Sequence, residues 1–146
     1  LDAIGTRVEL YVDAKDIAPE ALVEALRARD LIDRAVVYQG PDYLARLRSL
    51  EPRLRRMPPL GREDQIDALA EKVQPYAFDT RWGILSKSLI DHCHARGIKV
   101  FSDALGLNES VESYRLAIHD GIDVIQTDYP VRVLRALELL ESGAGR

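Results

Sequence analysis

The sequence predicts a parallel α/β fold of the (β/α)8 TIM-barrel type, with about six strand–helix units in 146 residues. Three observations favour it. Short apolar segments alternate strictly with segments of helical periodicity, and such alternation makes successive strands parallel. The predicted strands repeatedly finish on polar residues, which suits the upper end of a barrel better than a doubly wound sheet. No glycine-rich phosphate loop follows any predicted strand, which weakens a doubly wound nucleotide-binding fold.

The elements follow from local pattern. Strands are predicted where short apolar or alternating runs occur, at residues 8–15, 35–39, 53–60, 76–82, 98–104 and 123–128. Helices are predicted where apolar residues recur every three or four positions behind a proline, an acidic turn or a capping side chain. They cover residues 19–30, 41–50, 62–73, a segment from a Ser86 cap to Gly97, a segment from an Asn108 cap to Gly121, and the residues from Pro130 onward.

Composition limits the classes of protein that fit. With 47% hydrophobic and 30% charged residues, the chain is expected to form one soluble globular domain over residues 1–146. Its formal charge of −4 argues against nucleic acid or an anionic membrane as the main partner. No apolar run approaches about 18 residues, so no membrane span is predicted. The single cysteine, Cys93, favours a reducing, cytoplasmic compartment, and a first residue of Leu1 suggests an excised piece.

The first predicted strand carries the leading candidate site. Alternate side chains fall on opposite faces, so Leu10 and Val12 share an apolar face while Tyr11, Asp13 and Lys15 share a polar one. Asp13 and Lys15 are about 7 Å apart along the strand. They stand at its C-terminal end, where ligands bind in parallel α/β proteins. A solvated strand end with a local ion pair is the alternative.

Three further residues follow strands and are weighed in the same way. Asp103 ends a strand on the same face as Phe101, where a polar contact inside the barrel is expected. Trp82 ends the predicted strand at residues 76–82. It either lines a pocket or is a buried aromatic residue at the rim of the barrel. Asp128 precedes Pro130, so capping the last helix is its expected role.

Basic and metal-ligating residue types also occur in clusters. The arginines either form an anion-binding patch or belong to an exposed helix and a strand rim, and the second interpretation is favoured; they are Arg46, Arg48, Arg53, Arg55 and Arg56. His92, Cys93 and His94 follow one another on a helix, where positions two apart do not share a face. They are expected to be partly exposed helix residues, not a metal site. The dipeptide His119–Asp120 is predicted at the end of a helix, on the side of the barrel opposite the C-terminal ends of the strands. It is therefore not expected to be catalytic.

Two segments resemble a known family. Residues 97–101 (Gly-Ile-Lys-Val-Phe) and 121–130 (Gly-Ile-Asp-Val-Ile-Gln-Thr-Asp-Tyr-Pro) resemble the last two strands of glycerophosphodiester phosphodiesterases. In that family Gly-x-Asp-x-Ile-x-Thr-Asp-x-Pro follows a glycine-initiated strand one helix later. Asp13–Ala14–Lys15 is similar to the Glu-x-Lys that ends the family's third barrel strand, with Asp in place of Glu. The resemblance covers nearly the whole chain, from strand three to helix eight.

The resemblance implies metal-assisted hydrolysis of a small-molecule glycerophosphodiester to an alcohol and glycerol 3-phosphate. It implies a divalent cation, Ca²⁺ or Mg²⁺, with Asp13 in the position of a metal-binding carboxylate. Lys15 would neutralise the substrate phosphate. Phe101 falls where the family usually has a tryptophan lining the glycerol pocket, and Asp103 and Trp82 complete the candidate substrate contacts.

The family's remaining catalytic motifs are not matched in this sequence. The family carries His-Arg-Gly on its first strand, Glu-x-Asp on its second, and a His-Asp pair in the following loop. The chain is therefore expected to be the C-terminal six units of such a barrel. A non-catalytic binding or assembly module on a partial barrel is one alternative, and an unrelated parallel α/β enzyme is another. The outer strands, 8–15 and 123–128, would have open edges, so a homo-oligomer or association with the missing N-terminal part is expected.

Overall fold

The computed structural model describes residues 8–143, in which strands and helices alternate along the chain. Seven strands occur there: β1 Leu10–Asp13, β2 Ala35–Tyr38, β3 Arg55–Met57, β4 Pro59–Leu60, β5 Ala77–Arg81, β6 Lys99–Asp103 and β7 Val124–Gln126. The six α-helices of this range are α1 Pro19–Arg27, α2 Pro41–Leu50, α3 Ile66–Val73, α4 Lys87–His94, α5 Val111–Asp120 and α6 Pro130–Gly143. The predicted α/β class is confirmed.

The helix ends follow local chemistry. Pro19 and Pro41 stand in the first turns of α1 and α2, where a missing N–H costs nothing. The Ser86 hydroxyl accepts a hydrogen bond of 3.2 Å from the Leu89 N–H, which confirms it as the N-cap of α4. Gly121 closes α5 at a φ of 103°, in the left-handed region that favours glycine.

Two predicted helix starts were wrong. Ser110, not Asn108, caps α5, because its hydroxyl accepts from the Ser113 N–H at 3.1 Å. Residues 106–108 form a 3₁₀ turn instead. The predicted helix at 62–73 begins only at Ile66, after a 3₁₀ turn at Glu63–Gln65.

The predicted strand at residues 53–60 is also two strands, β3 and β4, on either side of Pro58. Pro58 has no N–H to donate, which makes a continuous ladder through this position unfavourable. The two strands belong to different sheets. One sheet has the order β1-β2-β3 and the other β4-β5-β6-β7, and the pairs β1–β2, β2–β3 and β6–β7 are parallel.

The described chain groups into two compact units. The first comprises the residues up to Pro59 together with Asp64–Phe78, and the second comprises Leu60–Glu63 and the residues from Asp79 onward. The expectation of a single domain over residues 1–146 stays a prediction.

The first unit has its own apolar core beneath the three-stranded sheet. Buried residues of α1 and α2 meet Ala35 and Val37 of β2, while Leu10 and Val12 of β1 pack against them. The core members on the helices are Leu22, Val23, Leu26, Leu44 and Leu47. The predicted alternation of β1 is thereby confirmed: Leu10 and Val12 face the helices, and Tyr11 and Asp13 are exposed on the other face.

In the second unit, α5 and α6 pack on one another around Tyr114, Ala104 and Ala136. Trp82 lies edge-on to Tyr114, with ring centroids 6.1 Å apart, and joins this cluster. No helix within residues 8–143 combines the length and the apolar character needed to cross a membrane.

Candidate functional site

The polar face of the first sheet is formed by residues that alternate with the core positions. Parallel register sets Tyr11 beside Val36 and Asp13 beside Tyr38 on the neighbouring strand. It also sets Arg55 of β3 beside Val36. This face therefore carries aromatic and charged side chains around the buried Val36, and the other face of the sheet is apolar.

Asp13 and Lys15 lie together at the C-terminal end of β1, as the strand spacing predicts. The Lys15 Nζ is 3.4 Å from the Asp13 Oδ2, and both side chains are solvent-accessible. Between them, Ala14 is buried and its N–H donates to the Tyr38 carbonyl at 3.2 Å. The backbone of this ion pair is thus tied to β2.

Gln39 strengthens that connection. Its side-chain amide donates to the Ala14 carbonyl at 2.6 Å, and its side-chain oxygen accepts from the Gly40 N–H at 2.6 Å. One side chain therefore links the end of β1 to the start of α2, which holds the Asp13–Lys15 segment in place. Sequence reasoning noted Gln39 only as a polar strand end, because its partner lies 25 positions away.

Two tyrosines lie beside this ion pair on the same face. The rings of Tyr11 and Tyr38 are stacked, with centroids 6.2 Å apart and an interplanar angle of 20°. We call Tyr11 and Tyr38 the tyrosine pair.

Toward the N-terminal end of β1, Arg55 donates to the Glu9 carboxylate at 2.8 Å and lies 5.0 Å from the ring centroid of Tyr76.

The described residues do not by themselves fit a divalent metal centre. Ca²⁺ takes about six to eight oxygen ligands, and even Mg²⁺ sites use carboxylates together with other ligands. Within residues 8–143, no three His, Cys, Asp or Glu side chains gather as such a group. Asp13 offers one carboxylate, already neutralised by Lys15.

In the second unit, Phe101 and Asp103 share a face of β6, as predicted, while Val100 and Ser102, which alternate with them, are buried. Register sets Phe101 beside Val124 and Asp103 beside Gln126. The Asp103 carboxylate accepts from the Leu105 N–H at 2.8 Å, so part of its hydrogen-bonding capacity serves the loop.

Asp79, in the middle of β5, is a carboxylate that the sequence analysis did not select as a site. Burial raises the pKa of Asp79, and the negative charge of Asp103 raises it further. A carboxyl group binds its proton more tightly when a second carboxylate lies nearby.

Trp82 lines a cavity of about 280 Å³. Leu85 and two residues of α5, Ser113 and Leu116, also line it.

The threonine of the Thr-Asp-x-Pro motif has a structural role in this unit. The Thr127 hydroxyl is 2.7 Å from the Tyr114 hydroxyl and 3.0 Å from the Glu109 carboxylate, to which it donates. Arg132 donates to the Glu109 carbonyl at 2.6 Å and lies 3.9 Å from the ring centroid of Tyr129. No sequence pattern singled out Glu109, because two of its partners, Thr127 and Asp128, come from another loop.

The arginines do not form an anion patch, since each has partners within the first unit. Arg46 pairs with Glu20, Arg48 with carbonyls at the end of α3, Arg53 with Glu51 and Asp33, and Arg55 with Glu9. Arg56 is buried, contrary to the expected exposed rim, because four backbone carbonyls accept from its guanidinium. Burial lowers the pKa of Arg56, with the charge of Arg48 as a second cause.

The histidines lie on helices and contact nearby carboxylates. His94 Nε2 is 2.9 Å from the Asp123 Oδ2, which also accepts from the Val100 N–H, and His92 Nδ1 is 3.5 Å from a Glu63 oxygen. Cys93 is fully buried, not partly exposed, because it faces the core side of α4. His119 and Asp120 end α5 next to Gly121.

Fold and site together define a parallel α/β protein with a polar sheet face at the C-terminal end of its first strand. Solved structures with this fold include glycerophosphodiester phosphodiesterases. The one from Agrobacterium tumefaciens C58 has 14% sequence identity and a TM-score of 0.78, covering 94% of this chain and 59% of its own. A glycerophosphoryl diester phosphodiesterase from Parabacteroides distasonis has 18% identity and a TM-score of 0.73, covering 90% of this chain and 51% of its own.

A 3-hexulose-6-phosphate synthase from Salmonella typhimurium is also similar, with 13% identity, a TM-score of 0.59 and coverage of 81% of this chain and 62% of its own. At these identities the similarity establishes the fold: a (β/α)8 TIM-barrel type of which this chain has about six units. The chain spans little more than half the length of the phosphodiesterases it matches. The resemblance seen in the sequence is confirmed at the level of fold. No family model and no curated protein matches the sequence.

Proposed function

We propose that the chain is the C-terminal part of a glycerophosphodiester phosphodiesterase barrel. The observation that carries this proposal is that its fold is similar, over 90–94% of its length, to solved structures of glycerophosphodiester and glycerophosphoryl diester phosphodiesterases. The segment Asp13–Lys15 and the Thr127–Pro130 motif support it from the sequence side. Both lie at the C-terminal ends of strands that pair in parallel, where ligands bind in this type of fold.

The proposed reaction is hydrolysis of the diester by water. The bond between phosphorus and the alcohol oxygen breaks, a bond from the water oxygen to phosphorus forms, and one water proton leaves with the alcohol. Lys15 binds the phosphate as a point charge. Within the first unit, Asp13 would offer one carboxylate to a divalent cation. Within the second unit, Phe101, Asp103 and Trp82 are proposed as substrate contacts.

The activity of this chain is tested by following release of glycerol 3-phosphate from a glycerophosphodiester with millimolar Ca²⁺ or Mg²⁺. We expect negligible turnover, because each missing proton-transfer group costs roughly 10²- to 10⁴-fold. Turnover that Asp13→Ala abolishes would show that the residues present suffice and that the assignment of a partial site is wrong.

The phosphate assignment is tested separately by binding. Glycerol 3-phosphate titrated into the chain should bind through Lys15, and Lys15→Gln should weaken binding about ten-fold or more, the worth of a hydrogen bond to a charged group. Lys87→Gln is the matched control, since Lys87 pairs with Asp91 on the exposed side of α4. Equal affinities of the two variants for glycerol 3-phosphate would show that Lys15 does not bind the phosphate.

A non-catalytic binding or assembly module remains the second candidate, and the open sheet edges favour association in either case. Among the described strands, β1 and β3 are the outer strands of one sheet, and β4 and β7 are those of the other. We therefore propose pairing with a second copy or with the N-terminal part of the barrel. Light scattering tests this proposal. A monomer at all concentrations, with a melting temperature that does not depend on concentration, would contradict it.

A cytoplasmic location stays a prediction from the single cysteine.

A further inference from the structure

We infer that a groove along α5 binds a small amphipathic amine, with the ammonium group at Asp120 and the apolar chain against Leu116 and the Trp82 indole. All of its lining residues belong to the second unit, and neither Lys15 nor a phosphate takes part. The inference therefore does not depend on the proposed function. We call this site the α5 groove; it is lined by Trp82, Leu85, Ser113, Leu116, Ala117 and Asp120.

One wall of the α5 groove is a single stripe of helix surface. Its members, Ser113, Leu116, Ala117 and Asp120, are spaced three and four positions apart and so lie on one face of α5. At the rise of an α-helix the stripe is about 10 Å long. The segment between β5 and α4 supplies the rest of the lining. An elongated groove of about 280 Å³ suits a ligand smaller than the usual drug-sized molecule.

The middle of the α5 groove is apolar and open to solvent. Leu116 is 60% exposed, and Trp82 is partly exposed although it lies edge-on to Tyr114. An alkyl chain that covers this surface displaces water from apolar groups on both partners, which is favourable. The Ser113 hydroxyl already has a partner, the Ser110 hydroxyl at 2.9 Å. The ligand therefore needs a polar group at one end only.

The charge of the α5 groove lies at that one end. Within residues 8–143, the one polar contact of the Asp120 carboxylate is His119 Nδ1, at 3.4 Å. None of the described residues that line the groove is an arginine or a lysine. Asp120 is also the last residue of α5, where the helix dipole adds negative potential and favours a cation.

The class of cation follows from the carboxylate. A primary ammonium has three N–H donors and forms a charge-assisted hydrogen bond with a carboxylate oxygen. A neutral alcohol of the same length gains the apolar contacts without the ion pair, and a carboxylic acid anion is repelled by Asp120. The α5 groove thus favours an alkylamine over the alcohol, and the alcohol over the anion.

Tryptophan fluorescence of the whole chain tests this order, because Trp82 is the single tryptophan of the sequence and lines the groove itself. Hexylamine, hexanol and hexanoate are titrated separately. We expect hexylamine to bind about three- to five-fold more tightly than hexanol, as a partly exposed ion pair allows. Propylamine should bind about ten-fold more weakly than hexylamine, because it lacks three methylene groups.

Two substitutions locate the amine. Asp120→Asn should reduce hexylamine to the affinity of hexanol and leave hexanol itself unchanged. Glu112→Gln is the matched control: it removes the same charge from the same helix, but Glu112 pairs with Arg115 and does not line the groove. It should leave the preference for hexylamine intact.

No saturable change in Trp82 emission, equal affinities of the parent chain for hexylamine and hexanol, or a preference that survives Asp120→Asn would each overturn the inference. Equal losses in Asp120→Asn and Glu112→Gln would also overturn it, since they would reflect net charge alone. The ranking in the parent chain needs no substitution, so a variant that fails to fold does not affect it. Glycerol 3-phosphate titrated separately tests the proposed function, and its failure to bind would leave the amine ranking unchanged.

Discussion

The Glu109 carboxylate accepts a hydrogen bond of 2.7 Å from the backbone N–H of Asp128, and this contact joins the loop after β6 to the loop after β7. The same side chain accepts from Thr127 and, at 3.3 Å, from the Gly106 N–H. Burial raises the pKa of Glu109, but these three donors outweigh it, so the net pKa lies below the usual range. Two loops at the C-terminal ends of neighbouring strands are therefore organised around one anion.

Glu109→Ala should lower the melting temperature by about 5 °C or more, because three donors lose their acceptor in a partly enclosed place. Thermal unfolding followed by circular dichroism measures this. Glu112→Ala is the control: its carboxylate is largely exposed and pairs with Arg115 one turn away. A shift no larger than the control's would mean that the loops hold together without Glu109.

Ser110→Ala should destabilise the chain by about 1 kcal/mol, since it removes the side-chain acceptor that satisfies the Ser113 N–H at the start of α5. Asn108→Ala, at the position that the sequence suggested as the cap, should cost less. Urea unfolding of the two variants distinguishes the assignments. A larger loss for Asn108→Ala would contradict the observed start of α5.

Stability should fall at acid pH partly through Glu51. The hydrogen bond from Arg27, together with that from Arg53, holds the pKa of Glu51 below its ordinary value against the opposing effect of burial. The unfolded chain therefore binds the proton more readily. The contribution is fully present above the usual glutamate pKa of about 4.3 and is lost as pH falls through the lower pKa of the folded state.

Urea unfolding measured between neutral and acid pH checks this prediction. Glu51→Gln should flatten the acid side of the stability curve, whereas Glu24→Gln, an exposed position on α1, should leave its slope unchanged. Parallel curves for the parent chain and Glu51→Gln would show that the Arg27–Glu51–Arg53 group contributes no pH dependence.

Cys93 should resist thiol reagents in the folded chain. Its side chain is fully buried, and burial raises the pKa of the thiol to about 11, so almost no thiolate is present at neutral pH. Modification by a maleimide or a disulfide reagent should be slow in buffer and rapid in urea. Rapid labelling of the native chain would mean that α4 opens readily.

Local features were predictable because they depend on neighbours in the sequence. Pro19, Pro41 and Ser86 mark helix starts through their own covalent chemistry, and Gly121 marks a helix end through its backbone freedom. The proximity of Asp13 and Lys15 follows from strand spacing alone.

Contacts between distant segments were decided only by the tertiary structure. Nothing in the run Arg53–Leu54–Arg55–Arg56 distinguishes the exposed guanidinium of Arg53 from the buried one of Arg56, whose partners include carbonyls at the end of α3. The tyrosine pair depends on the register of β1 against β2, and the bonds of Glu109 depend on a loop 18 or more residues away. The amino-acid sequence by itself determined the alternating elements and the face on which each strand residue lies, since both follow from backbone geometry. Which side chains meet across strands and loops was determined by register and packing, which short-range patterns do not specify.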